Sequence, residues 1–600
     1  MSVCLITMSA WSQKVYLGGG YPLEVKIKAS SSLTECPPER TIDGSGMDYK
    51  IFESSRFMAQ STLGANIHAI EELSETLDFN SWIAVQCNIP PTYITPEMER
   101  VWKQILEEST DPENEFGPFS VHFNYAWWTV NMTNDDVLRQ RIAYALSQIF
   151  VISINSDLRD HAEALSSFYD VLIKNALGNY RDLLMEVTLH PSMGYYLSHL
   201  NNPKEDPDNN IHPDENYARE IMQLFTIGLY ALNRDGSRIK DNQGADMPSY
   251  NNQDIKQLAK VFTGLGGGGL DPDVTWKTQP EFGDGLWTIS KILPLKMYEN
   301  FHDKGTKSFL GFQIPANQTG MKDIQDAVDF LFHHPNTGPF VAYRLIQRLV
   351  KSNPSAAYID RVASAFNDNG KGVRGDMRAV VTAILMDPEA RGQYERLEPH
   401  HGMLREPMLR FTQIVRAFPV FASRDRYWNN GYSYLNSTRQ HVLASPTVFN
   451  FYTPDYQPVG EISDAGLVAP EFKIHNSTTS LSYINAVNGW VGGVYKDDVT
   501  NEIKEWGSLF HSWESTSENP DFVRMLTSEL EPHAWDSELI INELDKRFTC
   551  GALTDDTRNI IRKALNGTYW NWDTQNLWKY HRIKTAIYLF MISPDYNILR

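Results

Sequence analysis

The sequence predicts a mainly α protein: a bundle-like array of many helices with long irregular loops and a short N-terminal β segment. Three observations predict it. From Phe52 onward, apolar residues recur in segment after segment at the 3.6-residue spacing that gives a helix one apolar face. Strand-like alternation around Gly and Pro is confined to KVYLGGGYPLEVKIKAS, residues 14–30. Between the periodic segments lie connections rich in Gly, Pro, Asn and Asp, at 201–213, 233–250, 264–300 and 455–480, long enough to be functional or to act as lids.

Taken in order, MSVCLITMSAWSQ at 1–13 pairs a short apolar run with small residues, like the end of a secretory signal, but lacks a basic start. Residues 14–51 form the β and loop segment. Residues 52–600 form the helical domain, either continuous or split into fused lobes at 52–300 and 301–600, because 600 residues exceed one core. Helices are expected near 54–75, 95–108, 134–154, 159–176, 178–187, 214–231, 252–263, 321–333, 336–352, 355–368, 374–386, 403–417, 535–547, 554–566 and 577–592. No stretch approaches the ~18 uninterrupted apolar residues that span a bilayer.

The formal net charge of −20 repels phosphate backbones and anionic lipid, which excludes nucleic-acid and membrane-surface roles. Aromatic residues reach 12 %, a richness shared by carbohydrate-contacting proteins and by large aromatic cores. The four cysteines, Cys4, Cys36, Cys87 and Cys550, form no CxxC or Cys/His cluster, so no structural zinc site is expected. In an exported chain Cys36 and Cys87 can pair, although spacing alone does not establish it.

DENYAREIMQLFTIG at 214–228 is the most informative stretch. On a helix Glu215, Arg219 and Gln223 stack on one face beside Asn216 and Glu220, while Tyr217 and the apolar residues cover the rest. Polar groups in so apolar a helix either form a structural network or wall a site. As a site, Glu215, Arg219 and Glu220 supply a carboxylate acid or base held by a guanidinium, with Glu215 suited to the base role. Asn216 and Tyr217 would touch substrate. FHDKGTKSFLG places His302 and Asp303 at a glycine-flanked turn with Lys307 nearby, either for proton transfer or to tie down a loop. LREPMLR sets Arg405 and Glu406 before a proline-started helix, and SPTVFNFY turns Asn450 and Tyr452 inward, with Ser445 as a helix cap.

KEDPDNNIHPDE gathers Asp206, Asp208 and Asp214, an oxygen-rich loop that takes calcium or is simply solvated. His190, His212, His302 and His334 show no metal-ligand spacing, and no metal centre is assigned. The glycines at 266–269 lack the GK[ST] of a phosphate cradle and read as a flexible loop.

Several blocks together resemble the bacterial domain of unknown function 1800 family. They include SSRFMAQSTLG at 54–64, VLRQRIAYALSQIFVIS at 137–153, HPSMGYYL at 190–197, PDENYAREIMQLFTIGLYALN at 213–233 and FHDKGTKSFLG at 301–311. HPNTGPFVAYRLIQRLV at 334–350, NDNGKGVRGDMRAVVTAILMDPEAR at 367–391, LREPMLR at 404–410, SPTVFNFYTPDY at 445–456 and MISPDYNILR at 591–600 follow in family order. The chain departs from the usual pattern at Leu63 and Leu265, where members carry Phe and often Trp. The resemblance implies a helical, exported protein, periplasmic or extracellular, with unassigned chemistry. It also implies a partner, a second exported protein encoded nearby.

Two functions follow as expectations. One is an exported enzyme acting on extracellular glycan or another polymer through a buried carboxylate–arginine site. The other is a non-enzymatic scaffold or binding protein working with the exported partner.

Overall fold

Polar caps punctuate the chain into helices. Asn66, Asn179, Thr319, Ser355 and Asp376 each precede a helix and accept a hydrogen bond from a backbone N–H of its first turn, satisfying donors that otherwise go unpaired. His190 does the same for Pro191–Tyr196 through its ring nitrogen. In this computed structural model the described residues are 49–108, 117–392, 401–427, 434, 437–496, 503–506, 510–511, 522–567 and 577–600. The signal-like stretch, the expected β segment up to residue 48, and Cys36 lie outside them.

The architecture is mainly α. Strands are short antiparallel pairs, such as Lys307–Phe309 with Phe312–Ile314 and Met403–Leu404 with Ile598–Leu599. A three-stranded ribbon joins Val420–Ala422, Phe522–Met525 and Phe510–His511. Among the described residues most buried apolar side chains form one cluster running from Phe57 to Leu599, with members on both sides of position 300, and Phe451, Tyr452 and Ile474 form a second, small one. Among the described residues no helix is long and apolar enough to cross a membrane.

Several expected boundaries shift for physical reasons. The segment 54–75 is two helices, Tyr49–Ser61 and Ile67–Thr76, parted at Gly64. Gly64 has a φ of +134°, and a Cβ there would sit 2.8 Å from the Gln413 Cα, so both the turn and the close approach require glycine. The segment 445–449 forms no helix, so Ser445 is not a cap; its carbonyl instead accepts from the Ser153 hydroxyl at 2.6 Å. The glycines at 266–269 are packed against 289–298, Gly266 on Tyr298 and the others on 289–294, and do not make a free flexible loop. A Cβ on Gly269 would meet Leu293 at 2.6 Å, and one on Gly268 would collide with the Pro294 carbonyl.

Candidate functional site

DENYAREIMQLFTIG folds as a short helix, Asn216–Glu220, that widens into a π-helix, Ile221–Thr226. The Ile227 N–H donates five residues back to the Met222 carbonyl at 2.9 Å. The Thr226 hydroxyl caps the Ile221 carbonyl at 2.6 Å. π-turns are rare and recur at functional positions. Within this wider turn Gln223 accepts from the Tyr250 hydroxyl at 3.0 Å.

Glu215 and Arg219 form a 3.4 Å pair with side chains 34 % and 40 % exposed, so their interaction is solvent-screened and weak. Asn216 is half-buried, and its backbone N–H donates to Asp214 at 2.8 Å. Tyr217 is buried; its hydroxyl donates to Thr188 at 2.7 Å, and its ring lies 3.9 Å from that of His199 and edge-on to Phe262. Glu220 differs from them all. It is 4 % exposed, its Oε2 has no partner, and burial raises its pKa to about 7 against a partial pull from Arg219.

His302 is fully buried. Its Nδ1 lies 2.8 Å from the Thr263 carbonyl and its Nε2 3.1 Å from Asp323. Lys307 donates to the same Asp323 oxygen at 2.5 Å, and Gln318 to the other at 3.0 Å. Burial pushes the Asp323 carboxyl up, but these hydrogen bonds outweigh it and hold the group below its ordinary value. The Asp303 carboxylate stays outside this cluster, accepting from Gly305 N–H at 2.7 Å and fixing the turn, while its backbone carbonyl accepts from Lys307. The imidazole is thus sealed from solvent and bonded at both nitrogens.

A third cluster surrounds Glu406, the N-cap of Pro407–Ala417. Gln148 donates to its two oxygens at 2.9 and 3.0 Å, Tyr452 donates at 2.5 Å, and Gln440 completes the set. Asn450, in left-handed conformation, reaches Gln148 at 3.4 Å. Arg405 is buried with its guanidinium over the Tyr596 ring at 5.0 Å. Glu471 packs nearby with Oε2 unpartnered, and burial raises it to about 8 despite Arg348.

The acidic loop does not assemble a calcium cage. Asp206 caps its own turn through Asn209, Asp214 is spent on Asn216, and Asp208 is exposed. Among the described residues no three His, Cys, Asp or Glu side chains gather as metal ligands. His190 meets Phe168 edge-on, whereas His212 faces Glu205 at the surface.

A family model described as "Protein of unknown function (DUF1800)" matches residues 56–598. The chain belongs to this family. No curated protein and no solved structure matches it.

Among the charged residues singled out in this DUF1800 chain, no hydrogen bond or ion pair among the described residues joins the Glu215–Arg219 pair, His302 and Arg405 to one another. Tyr452 bonds Glu406 directly and Asn450 reaches it through Gln148, whereas the Arg405 guanidinium lies over Tyr596. Sequence reasoning passed over Gln148, Arg141, Arg348, Glu471 and Asp323. The signal available was RLIQR: two cations four residues apart in an apolar helix demand an explanation.

Proposed function

We propose that this DUF1800 protein is an exported binding protein that holds a neutral carbohydrate polymer on the aromatic residues of the 264–301 loop, while its polar clusters serve the fold. One observation carries the reading: Trp276 and Trp287 are 71 % and 67 % exposed on a loop that is otherwise firmly held. Asn201 pins the loop by donating to the Asp284 carbonyl at 2.9 Å and accepting from Gly283 N–H at 2.9 Å. Phe282 stacks on Phe301 at 3.9 Å, and the Trp287 ring rests on His161 at 4.3 Å.

A rigid exposed indole offers a flat apolar face to a sugar ring at little entropic cost, with a polar N–H at its edge. Exposed Asp273 and Glu281 supply acceptors for sugar hydroxyls. The net charge of −20 favours a neutral polymer over a polyanion. The sealed His302–Asp323–Lys307 group fits a structural role.

Affinity electrophoresis through gels containing glucan, mannan or xylan, with pull-down on cellulose and chitin, tests the reading. Retardation of the wild type and its loss in Trp276→Ala and Trp287→Ala, at unchanged melting temperature, are expected. Free migration through all of them, or variants retarded as strongly as wild type, refutes it. N-terminal sequencing of protein recovered outside the cell checks export.

A second reading rests on Glu220. A half-protonated carboxyl beside a π-turn is poised for acid–base work on the same polymer. Release of reducing ends, abolished in a folded Glu220→Gln variant, would establish it; retention without release favours binding alone.

A further inference from the structure

Helix Thr337–Leu349 carries Arg344 and Arg348 one turn apart. Like charges at this spacing repel, and the helix is largely buried, so the pair is costly unless something answers it. Arg344 lies over Phe340 at 4.9 Å and Tyr343 at 5.8 Å; Arg348 lies over Tyr452 at 4.6 Å. Aromatic faces satisfy the planes of the guanidiniums but not their N–H groups, five on each side chain. Among the described residues neither head meets a hydrogen-bond acceptor or a carboxylate within ion-pair distance.

The surroundings answer them only in part: against the burial that would lower it, Tyr452, Glu406 and Glu471 raise Arg348, while burial lowers Arg344 to about 10 despite Asp455. Arg141 adds a third cation, its Nη2 donating to the Arg348 carbonyl at 2.5 Å, while its Nε is unpartnered. Glu406 is the nearby buried carboxylate, and Gln148, Gln440 and Tyr452 already occupy its oxygens. Glu471 packs beside them, its carboxyl raised by burial to about 8 despite the pull of Arg348, and among the described residues it bonds to neither arginine. A protein of net charge −20 thus holds a cationic patch in which, among the described residues, neither Arg344 nor Arg348 makes a direct ion pair. Arg348 is 8 % exposed and Arg344 half-buried, so both remain within reach of solvent.

The 450–455 segment runs along the same face. Gln347, between the two arginines, donates to the Pro454 carbonyl at 3.0 Å. Ring planes below, donors free above and a chain segment alongside are the parts of an oxyanion clamp.

We propose that Arg344 and Arg348 form a binding site for an oxyanionic group, a carboxylate or a phosphate, seated between helix Thr337–Leu349 and the 450–455 segment. The site is separate from the aromatic loop and does not depend on the polymer reading. Arg348 holds the anion from the Tyr452 side and Arg344 from the Phe340 side.

Calorimetric titration of the full chain with inorganic phosphate, sulfate and glucuronate tests this, the three probes separating tetrahedral from planar oxyanions. Saturable binding of at least one is expected. Arg344→Gln and Arg348→Gln should each weaken it about tenfold or more, with unchanged circular dichroism. Arg348→Lys should restore part of the affinity for phosphate. Absence of binding by all three probes, or affinity unchanged in both glutamine variants, overturns the proposal. Should Arg348→Gln fail to fold, the half-buried Arg344→Gln still decides it.

Discussion

Replacing Asp323 with Ala would strip the counterion from a lysine that is 1 % exposed. Lys307 Nζ lies 2.5 Å from the Asp323 carboxylate, a gross attraction of about 7 kcal/mol at an effective dielectric of about 20. Desolvation of both partners offsets much of this, so the pair itself adds little. Removing one partner is different: it abandons a buried ammonium and leaves His302 and Gln318 without their acceptor. The expected loss is about 3–5 kcal/mol. Asp323→Leu combined with Lys307→Met removes both charges and should lose far less, about 1–2 kcal/mol. Urea unfolding followed by circular dichroism measures each variant. A double variant as damaged as the single one, or a single variant within about 1 kcal/mol of wild type, would refute the reasoning. The pH dependence has a definite sign. The folded carboxyl titrates below its ordinary 3.8, so this stability is present above that pH and fades as pH falls through the folded value. Asp323→Leu/Lys307→Met should lack that acid-side loss.

Glu471 behaves oppositely: its pKa is raised from 4.5 to about 8, so its contribution is full below pH 4.5 and lost as pH rises to about 8. Glu471→Gln should flatten stability over that window and exceed wild type on its alkaline side by up to about 5 kcal/mol, read from urea midpoints across pH. Tyr452→Phe withdraws one donor from Glu406 and should cost about 1–3 kcal/mol by the same assay. Gly268→Ala would drive a methyl into the Pro294 carbonyl. Limited proteolysis should then cut within 264–301 faster than in wild type, and polymer retardation should weaken with it.

How much was legible depended on burial. Helices with one apolar face, such as Gly320–His333, stand out in the sequence by their period. Ser120–Thr133 does not, because ten of its fourteen residues are buried, including His122, Asn124, Thr129 and Asn131, and a helix covered on all sides has no stripe. The inward placement of Asn450 and Tyr452 was readable from their apolar flanks. The π-turn after Glu220 was not, since nothing local distinguishes a five-residue bonding pattern from a four-residue one. Nor was the Glu406 cluster, whose donors Gln148 and Gln440 lie 258 and 34 positions away along the chain.

By itself the sequence determined the helical class, the acidic net charge and the family blocks, which the family model spans from 56 to 598. Each of these depends on neighbours within a turn or on a simple sum over residues. The tertiary structure decided which charges are paired, sealed or left without an acceptor. Glu215 and Glu220 are five positions apart on one element, yet one lies partly exposed in a screened pair and the other is buried with its pKa near 7. Desolvation and counterion distance set that difference, and both depend on segments far apart in the chain.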